Sequence, residues 1–206
     1  MSAQTKGTLF FDTETSNLIM SGLPALHSEQ ARVMELACIL DDEARNTVAE
    51  LSFLVWEGGT FTISEEALRV HKISRERAES YGMQASLALR IFDSLASCAS
   101  LIVAHNFAFD AQLLKFMAHR VPTTFCLTEK LCPSYCTKVN STEVLKLPSP
   151  RGYGYKWPTL DEAYRFLVSA GGFDDAHSAL ADAKACRAVY YALQDRKKAA
   201  GVNTAV

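Results

Sequence analysis

Apolar residues fall into short continuous or alternating runs early in the chain and into helical spacing later. Thr8 to Asp12, Val33 to Leu40 and Leu51 to Trp56 are rich in β-branched, aromatic and leucine side chains and are bounded by polar stretches, which predicts three strands. Asp41-Asp42-Glu43 and Glu57-Gly58-Gly59 read as the turns that follow the second and third strands. Ser64 ahead of Glu65 and Glu66 is an N-cap pattern and predicts a short helix toward His71. Ala85 to Leu95 carries apolar residues at spacings of three and four and predicts a helix. Ser100 to Ala104 reads as a buried strand and Phe107 to His119 as an amphipathic helix. Thr137 to Pro158 mixes polarities and holds three prolines and two glycines, the pattern of an ordered but irregular loop. Thr159-Leu-Asp-Glu162 is a capping box whose helix Gly171-Gly172 should end, and a last helix is expected from about Ser178 to Lys198. Strands first, then strands alternating with helices, predict an α/β fold with a mixed sheet covered by helices.

Composition narrows the class without naming a substrate. At 206 residues with 49% hydrophobic and 21% charged content, the chain is expected to form one globular domain over 1–206, ending in a short tail at 199–206. The longest apolar run, Ala188 to Leu193, is far short of the ~20 residues of a membrane span. No apolar segment resembling a secretory signal precedes Phe10, and six irregularly spaced cysteines do not suggest a disulfide framework, so a cytoplasmic protein is expected. The net charge of −2 advertises no polyanion partner. It excludes none either, because divalent metals turn a cluster of carboxylates into the most positive spot on a protein.

Three motifs carry chemistry. In Phe10-Phe11-Asp12-Thr13-Glu14-Thr15, Asp12 and Glu14 project to one side if the strand persists that far. Two carboxylates at the end of an apolar strand repel one another and are costly to desolvate, and magnesium or manganese would relieve both penalties. A solvated strand end is the plain alternative. In His105-Asn106-Phe-Ala-Phe109-Asp110, Asp110 shares a helix face with Phe107, Leu113, Leu114 and Met117, where an acid needs a partner. His105 and Asn106 could equally cap that helix. In His177-Ser-Ala-Leu-Ala-Asp182, a continuous helix would point His177 and Asp182 about 140° apart. The two reach one site only if His177 lies at or before the helix start, where it could also act as a cap.

Asp12-Thr-Glu14, His105-Asn106-x-x-Phe109-Asp110 and His177-x4-Asp182, in this order, resemble the signature of the DEDDh 3′→5′ exonucleases, which include proofreading epsilon subunits of bacterial replicases. The similarity runs from about Thr8 to Asp195. Val33-Met-Glu35-Leu-Ala, His71-Lys-Ile73, Phe125-Cys-Leu-Thr128 and Lys156 to Ala163 look like further shared stretches. Ser178 stands where the family's tyrosine branch has its tyrosine, so the histidine branch fits. Ser16-Asn17 departs from the family's usual Thr-Gly, and Asn17 is expected to keep the turn through a positive φ.

The resemblance implies a ribonuclease H-like, five-stranded mixed sheet flanked by helices. It implies that Asp12, Glu14, Asp110 and Asp182 hold two divalent cations, Mg2+ or Mn2+, and that His177 serves as general base. It further implies Thr13, Thr15 and Leu18 beside the terminal nucleotide, with Asn106 a phosphate or water contact. The partner it implies is nucleic acid with a free 3′ end, DNA ahead of RNA, and a replicative polymerase is the protein partner to look for. The alternatives are a 3′→5′ exoribonuclease of the same family and a non-catalytic nuclease-like binding module.

Other features read more plainly. His119, Cys126, Cys132 and Cys136 match no common zinc spacing, and His71 reads as structural. Arg151-Gly-Tyr153-Gly-Tyr155-Lys156-Trp157 mixes basic and aromatic groups as strand-binding loops do, or packs on the next helix.

Overall fold

A computed structural model describes residues 7–122 and 133–201. Its centre is β1 (Gly7–Thr15), paired antiparallel with β2 (Val33–Asp41) and parallel with β5 (Ala99–Ala104). The remaining strands are β3 (Thr47–Trp56), β4 (Met83–Gln84) and β6 (Ser134–Cys136), giving the sheet order β4-β3-β2-β1-β5-β6. The mixed sheet flanked by helices is as expected, but it has six strands rather than five. Strands of two and three residues are too short for alternation to register in a sequence.

The helices are α1 (Glu65–His71), α2 (Arg75–Tyr81), α3 (Ala85–Ser97), α4 (Phe107–Arg120), α5 (Thr137–Leu145), α6 (Leu160–Leu167) and α7 (Ala179–Ala199). Ser64 and Ser74 cap α1 and α2 through their side chains, and Thr159 forms a full capping box with Glu162. Two expectations fail. Part of the expected loop at Thr137 to Pro158 is α5, whose buried residues are Thr137, Ser141 and Leu145, a stripe too polar to show as a hydrophobic period. Helix α6 ends at Leu167, before Gly171-Gly172, with Gly172 in a left-handed turn beyond it.

Alternation along β1 decides what each face meets. Leu9 and Phe11 enter one core with Phe92 of α3 and with Leu113, Leu114 and Met117 of α4. Phe10 enters the other with Ala179, Ala183, Cys186 and Tyr190 of α7. The small residues of α7 let the helix lie close on the strand. Asp12 and Glu14 continue the α7 face, and Thr13 continues the α4 face.

Buried polar ties fix the frame. Asp41 is inaccessible to solvent and accepts from Arg187 Nε at 2.5 Å and Tyr191 Oη at 2.6 Å, so it closes β2 against α7 rather than opening a turn. The Glu57 side chain, also inaccessible, pairs with Arg32 and Arg120 and accepts from the Val33 amide. Arg120 in turn donates to the carbonyls of Ala25 and Ala31, anchoring the β1–β2 connection to the end of α4. No helix among the described residues is long and apolar enough to cross a membrane.

Candidate active site

β1 stays extended to Thr15, so Asp12 and Glu14 do share one face. The first turn of α7 brings Asp182 over that face. Carboxylate oxygens of Asp12, Glu14 and Asp182 all lie within 4.8 Å of one another. Asp110, in the first turn of α4 and 3% exposed, joins from the opposite face, where Thr13 Oγ1 donates to its Oδ1 at 2.6 Å. Thr13 thus has its hydroxyl turned to an acid.

Electrostatics mark the cluster as unbalanced. Burial raises Asp12 well above the ordinary carboxylate value, and Asp110, Asp182, Glu14 and Glu35 raise it further. Glu14 is pushed up to about 8, first by burial and then by Asp182, Glu35 and Asp110. Burial lifts Asp110 to about 7 against the Thr13 hydrogen bond, and lifts Asp182 to about 6 against the help of His177. No lysine or arginine is among the main causes of these four shifts. Hard oxygen donors, mutually close and short of positive charge, fit divalent cations of the magnesium or manganese kind.

His177 precedes α7, as its reach to Asp182 requires. Its backbone is left-handed (φ 73°), its amide points to Asp182 Oδ1 at 3.4 Å, and its side chain is exposed. Asn106 is left-handed too and opens α4 without a side-chain cap. Its Oδ1 accepts from Lys138 Nζ at 3.3 Å. His105 is a half-buried tie: Nε2 donates to the Pro158 carbonyl at 3.2 Å and Nδ1 accepts from Thr137 Oγ1 at 2.9 Å, and desolvation lowers the ring to about 4. His71 likewise bridges, its Nε2 donating to the Thr15 carbonyl at 3.1 Å.

The turn after Glu14 differs from expectation. Asn17 has no positive φ. Its side chain accepts from the Leu18 amide and its carbonyl from Thr15 Oγ1, which leaves Leu18 72% exposed. Buried Gln30 braces this connection through Met20 and Leu23. Cys126, Cys132 and the Phe125 to Thr128 stretch lie outside the described residues.

Glu35 belongs to the cluster and had no assigned role in the sequence. It faces Glu14 across the β1–β2 ladder and accepts from Ser52 Oγ at 2.6 Å and from the Ala179 amide at 3.2 Å. The available signal was a lone acid inside the apolar run Val33 to Leu40.

The exonuclease family model (RNase_T) matches residues 9–190, which spans all the acids above. No curated protein matches the chain in sequence. Among solved structures it is similar to Escherichia coli exonuclease I. In complex with a dA16 oligonucleotide the TM-score is 0.71 at 17% identity, covering 94% of this chain and 42% of that one. With dT13 the values are 0.72, 18%, 95% and 42%, and for the product-bound structure 0.70, 18%, 95% and 45%. The chain therefore spans less than half the length of exonuclease I while sharing its fold over that part. The match over residues 9–190 makes this chain a member of the exonuclease family.

Proposed function

We propose that this exonuclease is a 3′→5′ enzyme that hydrolyses DNA from the 3′ end and releases nucleoside 5′-monophosphates, working as a single domain over 1–206. The observation that carries the reading is the close group of Asp12, Glu14 and Asp182 carboxylates, with Asp110 electrostatically tied to them, all four raised above their ordinary pKa. These residues would hold two divalent cations, which when bound supply Lewis-acid stabilisation of charge at the scissile phosphate.

The chain's own part is positioning and proton transfer. Thr13 orients Asp110, and the His177 amide orients Asp182. The exposed His177 imidazole accepts the proton of the attacking water as general base. Thr15 and exposed Leu18 border the terminal nucleotide, and Asn106 contacts its phosphate. DNA is favoured because exonuclease I, the similar fold, is complexed with deoxyoligonucleotides.

Matched single-stranded DNA, duplex DNA and RNA, each labelled at the 5′ end, test this in magnesium. The expected result is a ladder shortening from the 3′ end of single-stranded DNA. Faster loss of RNA would replace the substrate with RNA, and no degradation of any strand would leave only a binding module.

A further inference from the structure

A second surface lies one turn upstream of Asp110. A cavity of about 270 Å³ opens between the start of α4, at Asn106 and Phe107, and Trp157, with Cys136 and Val139 beneath. Lys138 is the only charged side chain on its wall among the described residues. The Lys138 ammonium sits 5.0 Å from the centre of the Trp157 ring and donates to Asn106, with no carboxylate partner among the described residues. Trp157 is 64% exposed and Tyr153 75% exposed, so these two rings are not buried against the rest of the fold.

The loop is built rather than slack. Pro148 pairs with Tyr155, and the Lys156 amide donates to the Leu147 carbonyl at 3.0 Å. Lys156 itself is taken by Glu162, which leaves Lys138 as the charge facing the cavity. The carbonyl of Pro158, next to Trp157, is bonded to His105, in the turn that leads into α4. The ring is thus tied to the segment that carries Asp110.

We propose that Trp157 and Lys138 form a subsite for a nucleotide of single-stranded DNA upstream of the 3′ end, the base stacking on the indole and the phosphate meeting the ammonium. A flat ring held in place beside a cation that no described carboxylate neutralises complements a base joined to a phosphate and suits any base sequence. The inference rests on the exonuclease reading, since it supplies the strand whose end lies at the acids.

Trp56 and Trp157 are the chain's only tryptophans, which makes fluorescence a direct probe. The full chain is titrated with dT8 and, separately, rU8 in EDTA to prevent turnover. Quenching by dT8 is expected in the wild type and not in Trp157→Phe. Trp157→Ala should weaken dT8 binding, read by anisotropy of a 5′ dye, by roughly tenfold, as expected for one stacked base. Lys138→Gln should lower the salt slope of log K by about 0.7, the contribution of one single-strand phosphate. Tyr81→Ala, an exposed ring at the opposite sheet edge, should bind like wild type. Unquenched wild-type fluorescence, unchanged affinity in Trp157→Ala, or weakening confined to rU8 would overturn the proposal. Hydrolysis in magnesium is measured in parallel. Its absence alongside normal quenching would defeat the exonuclease reading and not the subsite, and hydrolysis without quenching the reverse.

Discussion

His177 and Asp182 meet because the chain turns left-handed at His177 before α7 begins. The side chain is thereby exposed while the amide reaches Asp182. If it acts as general base, His177→Ala should slow single-turnover hydrolysis by roughly 10²–10⁴. The magnesium-induced rise in melting temperature should survive, since the side chain is not needed to hold the cation. A mutant that loses that rise would show the ring to be a ligand instead. Asp12 makes the opposite case. Burial and four neighbouring acids already disfavour its charge, so Asp12→Asn should abolish magnesium-dependent turnover yet melt no lower than wild type in EDTA. A lower melting point would mean that Asp12 supports the fold. The acids were legible in the sequence because their types and order are specific. Glu35 and the bond from Thr13 to Asp110 were not, since both depend on which strand or helix lies opposite. Asn17 shows a milder gap: residue type suggested a left-handed turn, whereas its side-chain hydrogen bond makes the turn without one.

Among the elements, β1 and α7 were the most readable and do the most to form the cluster. β1 alternates cleanly between two cores, and α7 is long, with small residues on its buried side. The short strands β4 and β6 and the polar-striped α5 had no period to find. The docking of α7 on the sheet depends on Asp41, which receives Arg187 and Tyr191 at the end of β2 away from Glu35. Asp41→Ala should therefore destabilise the fold by roughly 1–3 kcal/mol, the cost of stranding its donors. The Arg187 side chain is 30% exposed and can turn to water, which holds the loss below that of a fully buried broken pair. Urea melts give the stability, and turnover at low temperature, where the variant remains folded, should persist. Loss of turnover in a fully folded Asp41→Ala would show that the tie sets the geometry of the acids as well.

For the whole molecule, a net charge of −2 hides a local concentration of unpaired acid. In the folded chain Glu14 titrates near 8, Asp110 near 7 and Asp182 near 6, all above the ~4 of unfolded carboxylates. Raised folded values mean that the folded state holds protons more tightly. The contribution is fully present below about pH 4 and is lost as the pH climbs toward 8. Metal-free protein should accordingly melt at falling temperature from pH 5 to 8.5, and saturating magnesium should flatten the fall by favouring the ionised acids. A melting temperature that rises with pH in EDTA would contradict the charge balance described above. The distance along the chain between β1 and α7 also matters in time. Roughly 170 residues separate Asp12 from Asp182. At translation rates of about 5–20 residues per second, Asp12 and Glu14 wait some 10–30 s on the ribosome for their partner helix. Until that helix emerges and folds down, a nascent chain carries the acids of β1 without the constellation that would let them hold a cation.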